Sequence, residues 1–253
     1  LGTSSCFMLL GEEERDVPGI CGYVRDGIMP GFYGYAAGLC CMGDHFAWLT
    51  AQAPAEFVRE AEERGIPVIK IFIERAAKLA PGESGLIALN WWNGNRNILV
   101  DAELSGMFLG MSLRTRPEEL MRALIEATAY GTRLIIENFI EHGVPVNSFI
   151  AAGGIARKDP FTMQLYADVL GMDIQIAGST QIPALATAIF AAVAAGSERG
   201  GYDSIIEASD AMKKLDSLVY HPDPAAHAVY NKLYAEYLTL HDYFGRGEND
   251  VMK

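Results

Sequence analysis

The clearest pattern of hydrophobic and polar positions along the chain is a helical one over residues 117–143, PEELMRALIEATAYGTRLIIENFIEHG. One face of the helix, mostly apolar, follows the spacing i, i+4 and i+7 and consists of Leu120, Leu124, Ala127, Gly131, Leu134 and Asn138. Pro117 in the first turn and Gly143 just past the end are typical of helix boundaries. Glycine inside a helix costs roughly 1 kcal/mol relative to alanine, so we expect another segment to approach closely at Gly131.

Similar patterns predict the remaining elements. Helical spacing predicts helices over residues 38–52, 54–64, 67–79 and 222–246. It also predicts a helix in DPFTMQLYADVLG, with Asp159 as its N-cap and Pro160 as its first residue. The segment 17–35 mixes β-formers with Gly and Pro, which predicts a hairpin with RDG at its bend. Residues 81–97 indicate a turn, a short strand and a polar loop.

The order of elements over residues 147–196 is typical of a βαβ unit. SFIAAGG predicts a strand that runs into a turn, DIQIAG a second strand, and IPALATAIFAAVAAG a helix. That helix is apolar on all sides, so we expect it to be buried. We therefore predict an α/β fold with a parallel or mixed sheet flanked by helices.

Composition narrows the class of protein. The chain has 253 residues, half of them hydrophobic, and a net charge of −12, which argues against nucleic acid and an anionic membrane as partners. The apolar run 184–196 is too short to cross a bilayer. Cys6, Cys21, Cys40 and Cys41 form no C-x-x-C pair, which argues against zinc and indicates reduced thiols of a cytosolic protein. Because the chain starts LGTSSC, without Met, we expect a fragment.

Two glycine-containing turns are candidates for phosphate contacts. In the first, Gly2, Thr3 and Ser4 offer backbone N–H groups and hydroxyls to phosphate oxygens, although such turns are also common without a ligand. In the second, Gly153 and Gly154 stand between a strand and a helix, where missing side chains let a ligand approach the backbone. From the residues alone, a purely structural turn remains equally open there.

A dinucleotide loop is the weaker interpretation of the second turn. That motif needs G-x-G-x-x-G and an acidic residue at the end of the following strand. The chain has AGGIAR at residues 152–157, and the strand DIQIA carries its acid, Asp173, at the beginning. These departures argue against NAD.

The loop NWWNGNR at residues 90–96 is a candidate sugar contact. Its indoles are suited to stacking on a sugar ring, and Asn93, Asn95 and Arg96 to hydrogen bonds with hydroxyls. The alternative is a loop that buried indoles hold in place. The five histidines are scattered, and no catalytic set with Ser, Cys or Asp can be assembled from their spacing.

Taken together, these segments resemble the carboxyl-terminal half of the FGGY carbohydrate kinases over nearly the whole chain. The resemblance is carried in order by LGTSSC, GMFLGMSLRTRPEELMRALIEATAYG, AAGGIARKDPFTMQLYADVLG and PALATAIFAAVAAG. It implies a ribonuclease-H-like domain of the actin and hexokinase type. Residues 1–246 would be the nucleotide-side domain, with an irregular β and helical insert region over 11–100, and 247–253 a tail.

The resemblance also implies ATP and Mg²⁺ as cofactors and a set of nucleotide contacts. Gly2, Thr3 and Ser4 would hold the β- and γ-phosphates, and Gly153 and Gly154 would approach the α-phosphate and ribose. Lys158 would line the adenine pocket, and Gly38 would be a further glycine on the nucleotide side. No carboxylate of this chain can be assigned to the metal.

Within the family, VPGICGYVRDGIMPGFYGY, NWWNGNR and GGIARKD are most similar to the members that phosphorylate L-ribulose. Those members commonly read GYEAGQS where this chain reads GYAAGLC, and their Glu contacts sugar hydroxyls. Ala36 cannot accept such a hydrogen bond, and a lost buried partner costs ~1–3 kcal/mol. Another sugar or polyol, such as xylulose, ribitol or glycerol, is therefore an alternative substrate, and a non-catalytic actin-like nucleotide-binding module is a further alternative.

Two expectations concern parts outside this chain. In the resembling kinases the catalytic Asp lies before the GTS loop, so we expect no catalytic residue here, an inactive isolated chain, and the missing amino-terminal domain as a partner. The aromatic tail, with Tyr230, Tyr234, Tyr237, Tyr243 and Phe244, can pack within the domain or across a homodimer.

Overall fold

The structure is a computed structural model that describes residues 3–247. The strands among them are β1 Phe7–Gly11, β2 Gly22–Arg25, β3 Tyr33–Ala37, β4 Ile87–Leu89, β5 Met107–Leu109, β6 Phe149–Ala151, β7 Ile174–Ala177 and β8 Leu215–Tyr220. The α-helices are α1 Gly43–Thr50, α2 Ala55–Arg64, α3 Val68–Ala76, α4 Pro117–Glu141, α5 Gly154–Lys158, α6 Pro160–Leu170, α7 Ile182–Ala195, α8 Ile205–Met212 and α9 Pro224–Gly245.

Helix α4 runs through the core and packs against α3, α6, β4 and α9. Pro117 occupies its first turn, and the Glu119 carboxylate accepts a hydrogen bond from the backbone N–H of Arg116 at 2.6 Å. A Cβ on Gly131 would lie 3.0 Å from Cδ2 of Leu39. The close approach expected at this glycine is therefore confirmed.

Two three-stranded sheets flank this helix. The first is antiparallel with the order β1-β3-β2, and it contains the predicted hairpin, β2 with β3. The second has the order β6-β7-β8, with β6 and β7 parallel and β7 and β8 antiparallel. A cavity of about 190 Å³ lies between β1 and β6 over α4. The predicted mixed sheet flanked by helices is confirmed.

The helix predicted over residues 38–52 begins later, because the segment before Gly43 is bonded to the start of the chain. The backbone N–H of Met42 donates to the Thr3 carbonyl at 2.9 Å, and that of Leu39 donates to the Ser5 hydroxyl at 3.2 Å. The prediction is wrong for residues 38–42, where these long-range bonds replace helical ones. The patterns gave no indication of α5, α8, β1, β5 or β8.

Helix α7 contradicts the expectation of burial. None of its residues is buried, and the side chain of Phe190 is 62% exposed. The helix packs against α8 and the turn 197–199. An apolar sequence shows that burial of every face of a helix is favourable. It does not show which segment of the protein packs against those faces.

The aromatic tail packs mainly within the chain. Tyr230, Tyr234 and Tyr237 are buried against Tyr130 of α4, whereas Tyr243 is 61% exposed.

The division of the chain into a domain over residues 1–246 and a tail over residues 247–253 stays a prediction, and residues 248–253 lie outside the described part. None of the described helices combines the length and the apolar character that crossing a membrane requires.

Candidate phosphate and nucleotide site

The first candidate turn lies against the segment that leads into α1. The Thr3 carbonyl accepts the backbone N–H groups of Met42 at 2.9 Å and Gly43 at 3.0 Å, and the backbone N–H of Ser5 donates to the Leu39 carbonyl at 3.2 Å. Thr3 is exposed and Ser4 half-buried, so neither residue is enclosed by the protein. Gly2, also predicted here, lies outside the described residues.

Gly38 allows these two segments to approach closely. A Cβ at this position would lie 2.1 Å from the Ser5 carbonyl oxygen and 2.9 Å from Nη2 of Arg96. The backbone N–H of Gly38 donates to the Asn97 side-chain oxygen at 2.7 Å. Packing alone therefore requires a glycine here, and a contact of Gly38 with nucleotide stays a prediction.

The second candidate turn joins β6 to α5. Gly153 has φ +100°, a conformation that side-chain-bearing residues rarely adopt. Gly154 begins α5, and apart from its chain neighbours and the backbone of the helix itself no atom of the described residues lies within 4 Å of the position of a Cβ on it. The turn thus places exposed backbone beside open space.

That open space belongs to a cleft of about 1030 Å³ between α1, α3, α5 and the start of α6. Its walls are mostly apolar, with Ile69 and Ile73 from α3 facing Ile155 and Phe161. Gly43, Gly154 and Lys158 also line it. Because the backbone N–H of Gly43 is bonded to Thr3, the cleft connects the two glycine-containing turns.

The two basic residues after the second turn, Arg157 and Lys158, lie in different surroundings. Arg157 donates to the Ala177 carbonyl at 2.8 Å, so its guanidinium is tied to the sheet. Lys158 lines the cleft, is exposed, and has no carboxylate within 4 Å among residues 3–247. Asp159 instead caps α6, where it accepts hydrogen bonds from Thr162. Lys70 of α3 also lines the cleft and is exposed, so Lys158 and Lys70 are both cations available to a ligand there.

Titratable side chains at the base of α1 are unsuited to proton transfer. His45 is fully buried with neither ring nitrogen hydrogen-bonded, and burial lowers its pKa to about 3. Burial likewise raises the pKa of the Cys41 thiol to about 11. Both groups are neutral near pH 7 and enclosed by protein, so neither supplies a base or a nucleophile to the cleft.

The NWWNGNR loop divides between structural and exposed residues. Trp91 is 1% exposed and packs on His241, and Trp92 packs on His45 and Trp48. Buried Asn95 accepts the backbone N–H of Leu99 at 3.1 Å. Asn93 and Arg96 are exposed. The indoles hold the loop in place, and contacts of Asn93, Asn95 and Arg96 with a sugar stay predictions.

Ala36 is the last residue but one of β3 and lies opposite Met8 of β1 and Gly22 of β2. It precedes Gly38 by two residues, about 7 Å along an extended chain. The fold thus brings Thr3, Ser4, Ala36, Gly38 and Arg96 into one region, with Gly154 and Lys158 across the cleft.

Sequence patterns missed two contributors to this region. Asn97 bonds the Gly38 N–H and donates to the Gly19 carbonyl at 2.6 Å. Ile69 and Ile73 supply an apolar wall; their i, i+4 spacing on the predicted helix 67–79 is the signal that could have indicated it. No signal in the sequence indicates the partners of Asn97.

The described residues contain no group of three or more His, Cys, Asp or Glu side chains that could hold a metal ion. Cys6, Cys21, Cys40 and Cys41 are free thiols.

Comparison with known sequences gives a consistent result. Residues 1–195 match the FGGY family of carbohydrate kinases, C-terminal domain. The chain is 57% identical over 254 residues to a ribulokinase from Bacillus licheniformis and 55% identical to a ribulokinase from Halalkalibacterium halodurans. Each alignment covers 100% of this chain but only 46% and 45% of the relative. The chain therefore spans about half the length of these relatives.

Solved structures share the fold. A xylulose kinase from Rhodospirillum rubrum matches 96% of this chain with a TM-score of 0.78 at 25% identity, and the match covers 46% of that protein. A gluconate kinase from Lactobacillus acidophilus matches 96% of this chain and 46% of its own length with a TM-score of 0.79 at 22% identity. The expected α/β architecture of ribonuclease-H-like type is confirmed by these matches.

Proposed function

The chain belongs to the FGGY family of carbohydrate kinases, and on that premise we propose that it is the nucleotide-binding half of an ATP-dependent L-ribulose kinase. The relatives at 57% and 55% identity are ribulokinases. The observation that carries the nucleotide assignment is the cleft that Gly43, Gly154 and Lys158 line together.

The walls of the cleft suit the parts of ATP. Apolar side chains of Ile69, Ile73 and Phe161 match the faces of an adenine ring, and an exposed backbone at Gly154 admits ribose and α-phosphate. The β- and γ-phosphates then extend toward Thr3, which is bonded to the Gly43 end of the cleft. One nucleotide thus contacts both turns.

Phosphoryl transfer depends chiefly on positioning and on stabilising charge. In our proposal Thr3 and Ser4 orient the terminal phosphates through hydroxyl and N–H donors. The base that receives the sugar's proton comes from the part of the protein outside this chain, so the isolated chain does not turn over. The described carboxylates form no cluster that fits Mg²⁺, and we assign no residue of this chain to it.

Filling the cleft should weaken nucleotide binding. The open space around Gly154 accommodates a side chain without a clash in the protein, so Gly154→Leu should fold normally while its side chain occupies the nucleotide's place. We expect ATP affinity of the chain, measured by isothermal titration calorimetry, to fall by about tenfold or more, equivalent to at least 1.4 kcal/mol.

Ala228→Leu adds the same atoms to an exposed position on α9 and serves as the matched control. Thermal unfolding of both variants checks that each is folded. Equal ATP affinity of Gly154→Leu, Ala228→Leu and the parent chain would show that the nucleotide does not use this cleft.

The acceptor is a separate question, because Ala36 cannot hydrogen-bond a sugar hydroxyl. If the acceptor lies against β3, then Ala36→Glu in the full-length protein should raise kcat/KM for L-ribulose by about tenfold, since a hydrogen bond to a charged group contributes ~1.5–3 kcal/mol. Steady-state kinetics with L-ribulose, xylulose, ribitol and glycerol as competing substrates measure this change.

Ala228→Glu carries the same substitution at an exposed, remote position and should leave kcat/KM unchanged. Preference of the parent enzyme for xylulose, ribitol or glycerol would replace L-ribulose in our proposal with that substrate. A full-length protein that binds ATP but phosphorylates none of them would favour a non-catalytic module and overturn the proposed activity.

The exposed apolar surface of helix α7 indicates that another part of the protein packs against this half. None of its residues is buried within residues 3–247, and the relatives contain a similar length of chain that this sequence does not span. We propose that this other part of the protein packs on α7. Four free cysteines support a reducing, cytoplasmic location.

A further inference from the structure

Arg96 stands between two asparagines whose side chains hold the backbone in place. Asn95 is 7% exposed; its side chain accepts the Leu99 N–H, and its backbone exchanges hydrogen bonds with Asp101 at 2.7 and 2.9 Å. Asn97 is 4% exposed and joins the backbones of Gly38 and Gly19. The base of the arginine is therefore fixed on both sides, which lowers the entropic cost of holding its side chain over a ligand.

The guanidinium of Arg96 points to the first candidate turn. Its Nη2 lies 3.5 Å from the Ser5 carbonyl oxygen, the outer limit of a hydrogen bond. The missing side chain of Gly38 leaves the space that Nη2 occupies, because a Cβ there would lie at 2.9 Å. Ser5 follows Thr3 and Ser4 directly, so the cation lies beside the residues proposed to hold the terminal phosphates.

No carboxylate within residues 3–247 neutralises this cation. Ion pairs there occupy Arg64, Arg75, Arg122 and Arg133, among others, but no carboxylate oxygen lies within 4 Å of Arg96. The side chain is exposed. A rigidly based, unpaired arginine beside a glycine-containing turn is suited to an oxyanion, because its planar fork of N–H donors matches phosphoryl oxygens.

We propose that Arg96 contacts the phosphoryl group as it passes from ATP to the acceptor hydroxyl, an inference that rests on the proposed kinase function. The bond from phosphorus to the ADP oxygen breaks as the bond to the sugar oxygen forms, and the hydroxyl proton passes to the base that the part of the protein outside this chain supplies. Arg96 keeps its protons throughout. Its N–H groups donate to the equatorial oxygens, where negative charge spreads in the transition state.

The test uses the full-length protein with Arg96→Gln, Arg96→Lys and, as a matched control, Arg59→Gln. Arg59 is an exposed arginine of α2 outside the cleft. Steady-state kinetics separate kcat from KM, and calorimetry measures the ATP and ADP affinities. Thermal unfolding of each variant reports whether the fold has changed. Added guanidinium ion is the probe for chemical rescue of Arg96→Gln.

We expect Arg96→Gln to lower kcat by about 100-fold or more, the effect of removing one transition-state donor, while KM for the sugar changes by less than about threefold. Arg96→Lys should retain more activity, and guanidinium should restore part of kcat in Arg96→Gln. The variant should also lose preference for ATP over ADP, since only ATP carries the γ-phosphate. Arg59→Gln should match the parent protein.

A kcat of Arg96→Gln within about twofold of the parent value would overturn the inference. A loss of kcat with a matching loss of thermal stability and no guanidinium rescue would do so as well, because it would reveal a purely structural role. Failure of the parent protein to phosphorylate any sugar would instead refute the proposed function. The ratio of ATP to ADP affinity would then decide on Arg96 alone: an unchanged ratio in Arg96→Gln overturns the contact.

Discussion

Replacing Arg122 with Met is expected to lower the free energy of unfolding by about 3–5 kcal/mol, the usual cost of leaving a buried charge without its partner. Arg122 and Glu126 of α4 are 4% and 2% exposed and form an ion pair at 2.7 Å. The guanidinium also donates to the Leu79 carbonyl at 2.9 Å and to the Tyr230 hydroxyl at 2.6 Å. One side chain thereby joins α4 to the segment that follows α3 and to α9.

The double variant Arg122→Met with Glu126→Leu distinguishes the contribution of the ion pair to stability from that of the bonds to Leu79 and Tyr230. Replacing both members with apolar residues leaves no unpaired charge, and such replacements are often neutral or stabilising. We expect urea unfolding to show that the double variant recovers at least about half of the loss. An equal loss in the single and double variants would show that the bonds to Leu79 and Tyr230 outweigh the ion pair.

Replacing His45 with Leu is expected to reduce the chain's loss of stability in mild acid, with buried His241, whose pKa burial also lowers, accounting for part of what remains. Burial holds the pKa of folded His45 at about 3, below the 6.5 of an unperturbed imidazole. Between these values the unfolded chain binds a proton that the folded chain does not, so the free energy of unfolding falls as pH falls. The slope approaches about 1.4 kcal/mol per pH unit below pH 6.5.

Urea unfolding at pH values from about 4.5 to 7.5 measures this slope. The Leu variant should show a flatter profile, and it should also be more stable at pH 7, because two buried nitrogen atoms without hydrogen-bond partners are removed. His221→Gln changes a histidine that is 71% exposed and serves as the control. An acid slope that persists unchanged in His45→Leu would assign it to other groups.

Much of the local structure could be predicted because its causes are local. Helix α4 starts at Pro117 and is followed by Gly143 with φ +80°, since proline and glycine act on their own backbone angles. Asp159 caps α6 as expected, by accepting the Thr162 N–H at 3.1 Å. The FGGY motifs likewise are continuous strings, so family membership can be recognised without coordinates.

The candidate site could be predicted only in part, because its members come from distant positions. The glycines at 153 and 154 signalled an exposed turn by themselves. The apolar wall that α3 contributes to the same cleft and the bonds of Asn97 to Gly38 join residues tens of positions apart. The spacing of residues along the sequence does not indicate such long-range pairs.

By itself, the sequence determined most of the helices, the hairpin, the strands β6 and β7, the glycine-containing turns and the family, since each depends on neighbouring residues. The tertiary structure decided that residues 38–42 bond to the start of the chain instead of forming a helix. It also decided that α7 lies exposed and that Arg96 reaches the Ser5 carbonyl. These outcomes depend on which surfaces meet in space. The type of an apolar or charged residue shows that a contact is favourable, but it does not show which distant residue makes that contact.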